Sequence, residues 1–303
     1  MRLITRLLAR WRHNGRGPVD ARRTSKLYIA PEVLESAAKL IREADGLFIC
    51  AGAGMGVDSG LPDFRGAAGL WRDYPAFAQT GLSLERFATG AAFVERPRMA
   101  WGLMGHLIDL FRKAPPHAGY AILNEWAKAA PCGAFVFTSN VDDHFQRAGF
   151  PENRIVECHG SLFHLQCANH CGQPIWSGRT LEVPTSQGEA EWQGPLPTCP
   201  ACGGLARPNV LLFGDYGWNP DRTENQSTAL TAWMRQIHRA VVIEIGVGTA
   251  IPSVRVFASG LEHPLIRINP EATPALRPDD LRLQVGALEG LTAIDSLIRR
   301  SPR

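Results

Sequence analysis

Residues 47–51 (LFICA) form a short apolar run that passes directly into Gly52 and Gly54, and residues 50–66 read CAGAGMGVDSGLPDFRG. No other stretch limits the fold so strongly. A strand that ends in glycines lets the backbone come close to a neighbour and turns amide N–H groups toward an anion. That arrangement opens a doubly wound parallel sheet. The fingerprint of a hydride-transferring dehydrogenase needs a third glycine five places after the first. Here that place is Val57, with Gly56 one position early, so a dehydrogenase is disfavoured. The continuation GLPDFRG exceeds what a turn requires, since Asp63, Phe64 and Arg65 set an acid, an aromatic and a cation in succession.

The rest of the chain reads as an α/β sheet. In residues 31–44, Val33, Leu34, Ala37, Ala38, Leu40, Ile41 and Ala44 recur at helical spacing, with Pro31 fit for a first turn and Gly46 closing the segment. Apolar runs at 134–138, 154–157, 240–246, 265–268 and 281–285 predict further short buried strands. A long helical and loop region occupies 71–130. Strands alternating with helices imply parallel pairing and right-handed crossovers. Residues 167–204, rich in Cys, Gly and Pro, break the alternation and read as a small inserted module.

That module holds four of the seven cysteines. Cys167 and Cys171 enclose three residues, and Cys199-Pro-Ala-Cys202 follows after 27 more. Two such pairs satisfy one tetrahedral Zn²⁺ through four thiolates and leave no position for water, so the metal is structural. His170 lies between the first two cysteines, and a site of three cysteines with His170 is the alternative. Neither a signal peptide nor a secreted disulfide framework is evident, which fits a reducing compartment.

The chain has 303 residues and a net charge of +3. Residues 1–28 alone carry +7, from seven Arg and one Lys against Asp20, which leaves −4 for the remainder. The body is therefore no basic nucleic-acid binder. No apolar run approaches the ~20 residues of a membrane-spanning helix. In the tail, Leu3, Ile4, Leu7, Leu8 and Trp11 share a helical face, ringed by Arg2, Arg6, Arg10 and Arg12. It reads as a disordered extension, as an organellar transit peptide, or as a basic helix lying on a membrane surface.

Three further segments carry chemistry. Thr138-Ser139-Asn140-Val141-Asp142 closes a predicted strand, where open α/β sheets bind ligands, although Ser, Asn and Asp also cap helices. His159, in Glu157-Cys158-His159-Gly160-Ser161, is the histidine best placed to act as a base. Taken alone it reads as a core histidine. Cys158 is excluded as a nucleophile on the expectation that adjacent strand residues face opposite ways. The third segment, residues 207–215, reads RPNVLLFGD.

In their order along the chain these segments resemble the sirtuins, the NAD-dependent protein deacylases. GAG…SGLPDFR, TSNVD, HGS, RPNVLLFGD, GVGTA at 246–250 and the Ile268-Asn269 pair each match a sirtuin motif, over about residues 30–297. The resemblance implies a Rossmann-type catalytic domain at 29–303, with a zinc ribbon inserted at about 162–206 and residues 1–28 as an extension. It implies NAD as a consumed co-substrate and one structural zinc ion. Gly52, Ala53, Gly54, Asp63, Phe64 and Arg65 are its expected cofactor loop. Asn140 and Asp142 are expected to shape the nicotinamide pocket, Ser139 stands at a ribose contact where Gln is usual, and Gly248, Thr249, Asn269 and Ala287 meet the remainder of the cofactor. His159 and Asn140 are the implied catalytic residues. The backbone of Val210, Leu211, Phe213 and Gly214 pairs with an extended acyl-lysine peptide.

Under that resemblance the acyl oxygen attacks the ribose carbon as nicotinamide leaves. His159 deprotonates a ribose hydroxyl, and the products are free lysine, nicotinamide and O-acyl-ADP-ribose. Ala51, Gly56, Ser139, Asp215 and Ala250 replace the usual Thr, Ser, Gln, Glu and Ser, which marks a divergent branch. Sirtuins that remove acidic acyl groups carry Tyr and Arg three residues apart. Met104 and Leu107 stand there in a gapless reading, so uncharged acyl groups are expected, because an unpaired buried carboxylate is costly. ADP-ribosyl transfer, NAD hydrolysis and a non-enzymatic NAD or ADP-ribose sensor are the competing functions. The expected location is cytoplasmic, or the mitochondrial matrix if the tail is a transit peptide. The protein substrate and the oligomeric state stay open.

Overall fold

The computed structural model describes residues 29–62, 88–184, 190–272 and 277–300. Helix α1 (Pro31–Glu43) begins on Pro31, whose missing N–H is no loss in a first turn. Strand β1 (Gly46–Ala51) follows. The chain then makes two single 3-10 turns, Ala53–Met55 and Val57–Ser59, and not the long helix that a complete dinucleotide fingerprint would open. Helices α2 (Gly90–Glu95), α3 (Pro97–Lys113) and α4 (Ala118–Ala129) lead to β2 (Ala134–Thr138). Short helix α5 (His144–Arg147) precedes β3 (Ile155–Glu157). Strands β4 (Gly160–Cys167), β5 (Trp176–Ser177) and β6 (Ala206–Val210) come next. Helix α6 (Asp221–Met234), β7 (Ala240–Ile245), α7 (Ser253–Gly260), β8 (Leu265–Ile268), β9 (Leu281–Leu283) and α8 (Ala287–Arg300) complete the order.

Six strands form one parallel sheet in the order β3-β2-β1-β7-β8-β9. Numbered by their own succession this is 3-2-1-4-5-6, the doubly wound order. Its switch point lies between β1 and β7, where successive crossovers leave in opposite directions. Side chains of β1 divide by parity. Leu47, Ile49 and Ala51 join a core with Ile41, Leu123, Trp126 and Leu291, whereas Phe48 and Cys50 join another with Leu230, Trp233, Val254 and Ala258. Both faces are covered, which is why the strand reads as an unbroken apolar run. Burying each large side chain contributes about 1.5–3 kcal/mol.

A second, antiparallel sheet, β5-β4-β6, sits beside helix α3. Trp101, Leu103, Ile108 and Phe111 of that helix share an apolar cluster with Leu162, Phe163, Leu165 and Trp192. The buried Trp101 indole donates to the Ala206 carbonyl at 2.9 Å, so α3 is tied to β6 by its polar atom as well. The strands expected at 154–157 and 281–285 are shorter by one and two residues. Arg154 belongs to a 3-10 turn, and the pairing of the last strand ends at Leu283. One expectation is corrected: Cys158 and His159 lie in the turn between β3 and β4, not on a strand, so pleat parity does not apply to them. Among the described residues no helix is long and apolar enough to cross a membrane.

Candidate active site

Two glycine loops meet at the switch point. The Gly52 amide donates to the Ile245 carbonyl at 3.0 Å and the Gly54 amide to the Gly246 carbonyl at 2.9 Å. A Cβ on Gly52 would stand 2.7 Å from the Gly246 oxygen and 2.9 Å from the Val247 Cα; one on Gly54 would stand 2.7 Å from the Gly246 Cα. Gly246 itself has φ +60°, the left-handed region. The loops after β1 and β7 thus touch backbone to backbone, which no side chain permits. Ala53, between the two glycines, opens the first 3-10 turn.

The first loop is pinned by a residue that the sequence did not single out. The His117 backbone N–H donates to Ser59 Oγ at 2.9 Å. Gly119 N–H donates to His117 Nδ1 at 3.0 Å, so the ring proton is on Nε2, which meets the Met55 carbonyl at 2.8 Å. Burial, opposed by that carbonyl, lowers the His117 pKa and keeps the ring neutral. Asp58 reaches the far side of the crevice, where its carboxylate accepts from Leu288 N–H at 2.8 Å, in the first turn of α8 beside the buried Ala287. Asp63, Phe64 and Arg65 lie outside the described residues.

Thr138 closes β2 by donating its hydroxyl to the Ala51 carbonyl at 2.9 Å and accepting from Asn140 N–H at 3.0 Å. Ser139 N–H donates to the same carbonyl at 3.2 Å. These bonds place Ser139 and Asn140 beside the first glycine loop. Asn140 is buried, and among the described residues its Nδ2 has no partner. A buried amide that keeps an unused donor is costly unless a ligand completes it. Asp142, two residues on, accepts from His144 N–H at 3.0 Å. Burial is the larger influence on its carboxyl, and the pKa is pushed up to about 6.

His159 is held in the turn before β4. Its carbonyl accepts from Leu211 N–H at 2.9 Å, and its Nε2 lies 3.3 Å from Ser253 Oγ at the start of α7. Burial lowers its pKa, against a backbone contact with Ser139 that raises it. The imidazole is therefore mainly neutral at pH 7. Burial pushes the Cys158 thiol up to about 12, which keeps it protonated at neutral pH.

On the other side of the crevice, the Val247 carbonyl accepts from Asn269 Nδ2 at 2.8 Å and Arg255 Nη2 at 2.7 Å. Arg255 and Arg267 share the buried Glu244, at 3.3 and 2.6 Å. Gly248 has open space where a Cβ would be, with Thr249 following. Leu211 and Phe213 are 38% and 39% exposed, so the segment after Val210 offers a surface. Arg207 forms a bidentate pair with Asp215, which also accepts from Gly217 N–H at 3.1 Å and fixes the turn at Gly214.

Four sulfurs, of Cys167, Cys171, Cys199 and Cys202, lie within 4.8 Å of one another. Two of the separations are 3.7 Å and 3.6 Å. A tetrahedron with Zn–S of ~2.3 Å has edges of roughly 3.8 Å, so the thiols fit one zinc ion. His170 is not in that group; its Nε2 faces Gly217. The zinc module is tied to the TSNVD loop by Arg179, which pairs bidentately with the buried Asp143 and at 3.1 Å with Glu152.

Residues 52–251 match the model of the Sir2 family. An NAD-dependent protein deacylase of Thermus thermophilus is 31% identical over 87% of this chain and 94% of its own length. That of Aquifex aeolicus is 29% identical over 82% and 93%. A solved Sir2 homologue in complex with NAD superposes with a TM-score of 0.66 at 26% identity, covering 88% of this chain and 94% of that one.

Proposed function

This chain belongs to the Sir2 family, and from that premise we propose that it removes acyl groups from protein lysines, moving each acyl group to ADP-ribose with release of nicotinamide. The observation that carries the reading is one of place. The two glycine loops, the unpaired Asn140 amide and the neutral His159 all stand at the carboxyl edge of the sheet, around its switch point. NAD⁺, as the consumed co-substrate, supplies the ribose carbon and the nicotinamide leaving group.

The chain's own residues divide the work. The loops at Gly52, Ala53 and Gly54 and at Gly248 and Thr249 admit the phosphates close to backbone. Ser139 lines the same edge. The spare donor of Asn140 orients a polar group in the inner pocket, with Asp142 behind it. Asn269 and Ala287 border the adenosine side. Asp63, Phe64 and Arg65, outside the described residues, are assigned to cofactor binding, with Phe64 to shield the intermediate from water and Arg65 to contact phosphate. His159, neutral at pH 7, takes the proton of a ribose hydroxyl. Val210, Leu211, Phe213 and Gly214 receive the acyl-lysine peptide as an added strand. The thiolates of Cys167, Cys171, Cys199 and Cys202 hold the structural zinc. We place the enzyme in the cytoplasm, with residues 29–303 as its catalytic unit.

The test is product analysis. The parent, given NAD⁺ and an acetyl-lysine peptide, is expected to yield O-acetyl-ADP-ribose, and His159→Ala none. Nicotinamide release without deacetylation would move the assignment to ADP-ribosyl transfer or NAD hydrolysis. No NAD⁺ consumption with any of several acyl chains would leave a sensor.

A further inference from the structure

Ser253 is the first residue of α7 and follows Pro252. Its Oγ is 3.3 Å from His159 Nε2, across 94 residues of sequence. Among the described residues it makes no other hydrogen bond through that oxygen. A serine hydroxyl is both donor and acceptor, so the direction of this bond depends on the imidazole proton. The backbone of Ser139 acts on the same ring in the sense that favours the charged form, as a carbonyl taking a ring N–H does. A neutral imidazole has only one such proton. Of the two neutral tautomers, the one with its proton on Nδ1 leaves Nε2 with a lone pair for the Ser253 hydroxyl to donate to.

We propose that Ser253 is a positioning residue: its hydroxyl donates to His159 Nε2 and holds the imidazole with that nitrogen unprotonated and turned toward the reaction centre. The proposal rests on the reading of His159 as the base of deacylation. Before substrate arrives, Ser253 keeps the acceptor lone pair at the site and spares the ring a search between two tautomers. The substrate hydroxyl then takes the place of Ser253 Oγ, which clears by rotation about a single χ1 bond. Among the described residues, burial and the Ser139 backbone are the influences on the His159 titration, and no charged side chain bears on it.

The experiment is ¹⁵N NMR of the full chain with labelled histidine, titrated for the parent, Ser253→Ala and Ser253→Thr, alongside deacylation kinetics. The parent is expected to show an unprotonated Nε2 below and above pH 7 in its neutral form. Ser253→Ala should mix the tautomers and raise the His159 pKa by about half a unit to one unit, because the lost donor favoured the neutral ring. Its kcat should fall about three- to tenfold at pH 7, with KM for NAD⁺ within about twofold, and the acid limb of the pH profile should move up with the pKa. Ser253→Thr should restore both. A protonated Nε2 in the parent overturns the proposal without need of a variant, and so does an alanine variant with unchanged tautomer and pKa. If the parent forms no O-acyl-ADP-ribose, the deacylase reading fails, while the ¹⁵N spectrum still decides the role of Ser253.

Discussion

Asp142 is a carboxyl that the fold holds at a loss. Only 6% exposed, with a pKa pushed up to about 6 chiefly by burial, it binds its proton more tightly in the native chain than in the unfolded one. A folded pKa above the unfolded value gives stability that is full below about pH 4 and lost as pH rises through about 6. Asp142→Asn removes that loss and keeps an oxygen for the His144 N–H. It should equal the parent in stability near pH 4 and exceed it by about 3 kcal/mol at pH 7.5, read from urea midpoints. A difference independent of pH would refute the assignment. Deacylation by the variant should fall under the proposed role of Asp142 beside the unpaired Asn140 amide. Asp142 and His159 were legible because each sits in a short segment of recognisable order. Ser253 and His117 were not, since a contact between residues 94 apart, or a histidine wedged under a loop, follows from packing and leaves no mark of spacing.

Met104 and Leu107 are buried in one apolar cluster with Leu61, Leu162 and Val210. The members of that cluster are apolar, and the nearby Arg207, over the Phe93 ring, is already paired with Asp215. Met104→Tyr with Leu107→Arg should confer desuccinylation of a succinyl-lysine peptide, and folded protein without any gain would refute the placement of these residues at the acyl pocket. Arg179, from the segment after β5, holds the buried carboxylate of Asp143, which has a left-handed φ of 66°. Arg179→Ala should cost about 1–2 kcal/mol by urea unfolding. That is less than the roughly 3–5 kcal/mol of a fully buried pair, because this arginine is 39% exposed. The strands of the parallel sheet were legible to within two residues as apolar runs between turns. The two 3-10 turns after β1 were not legible, because the misplaced glycine spoke only against a dehydrogenase. The antiparallel sheet escaped notice because β4 and β6 flank the cysteines and borrow their core from α3.

Across the whole molecule, charge and fold are separable. Removing residues 1–28 takes away a net seven positive charges and leaves −4. The shortened chain should keep the thermal midpoint of the parent within about 2 °C and its deacylation rate within about twofold, because the cores of the described residues close on one another within 29–300. A larger fall would assign the tail a part in the fold. The turn at Gly160 joins His159 without a gap to β4, and that eight-residue strand ends at Cys167. A tilt of the small sheet is therefore expected to reach the imidazole through this one strand, as a lever moves its pawl. Cobalt in place of zinc would put a coloured gauge at the lever's far end, and a shift in its absorption on adding NAD⁺ would show the pawl engaging.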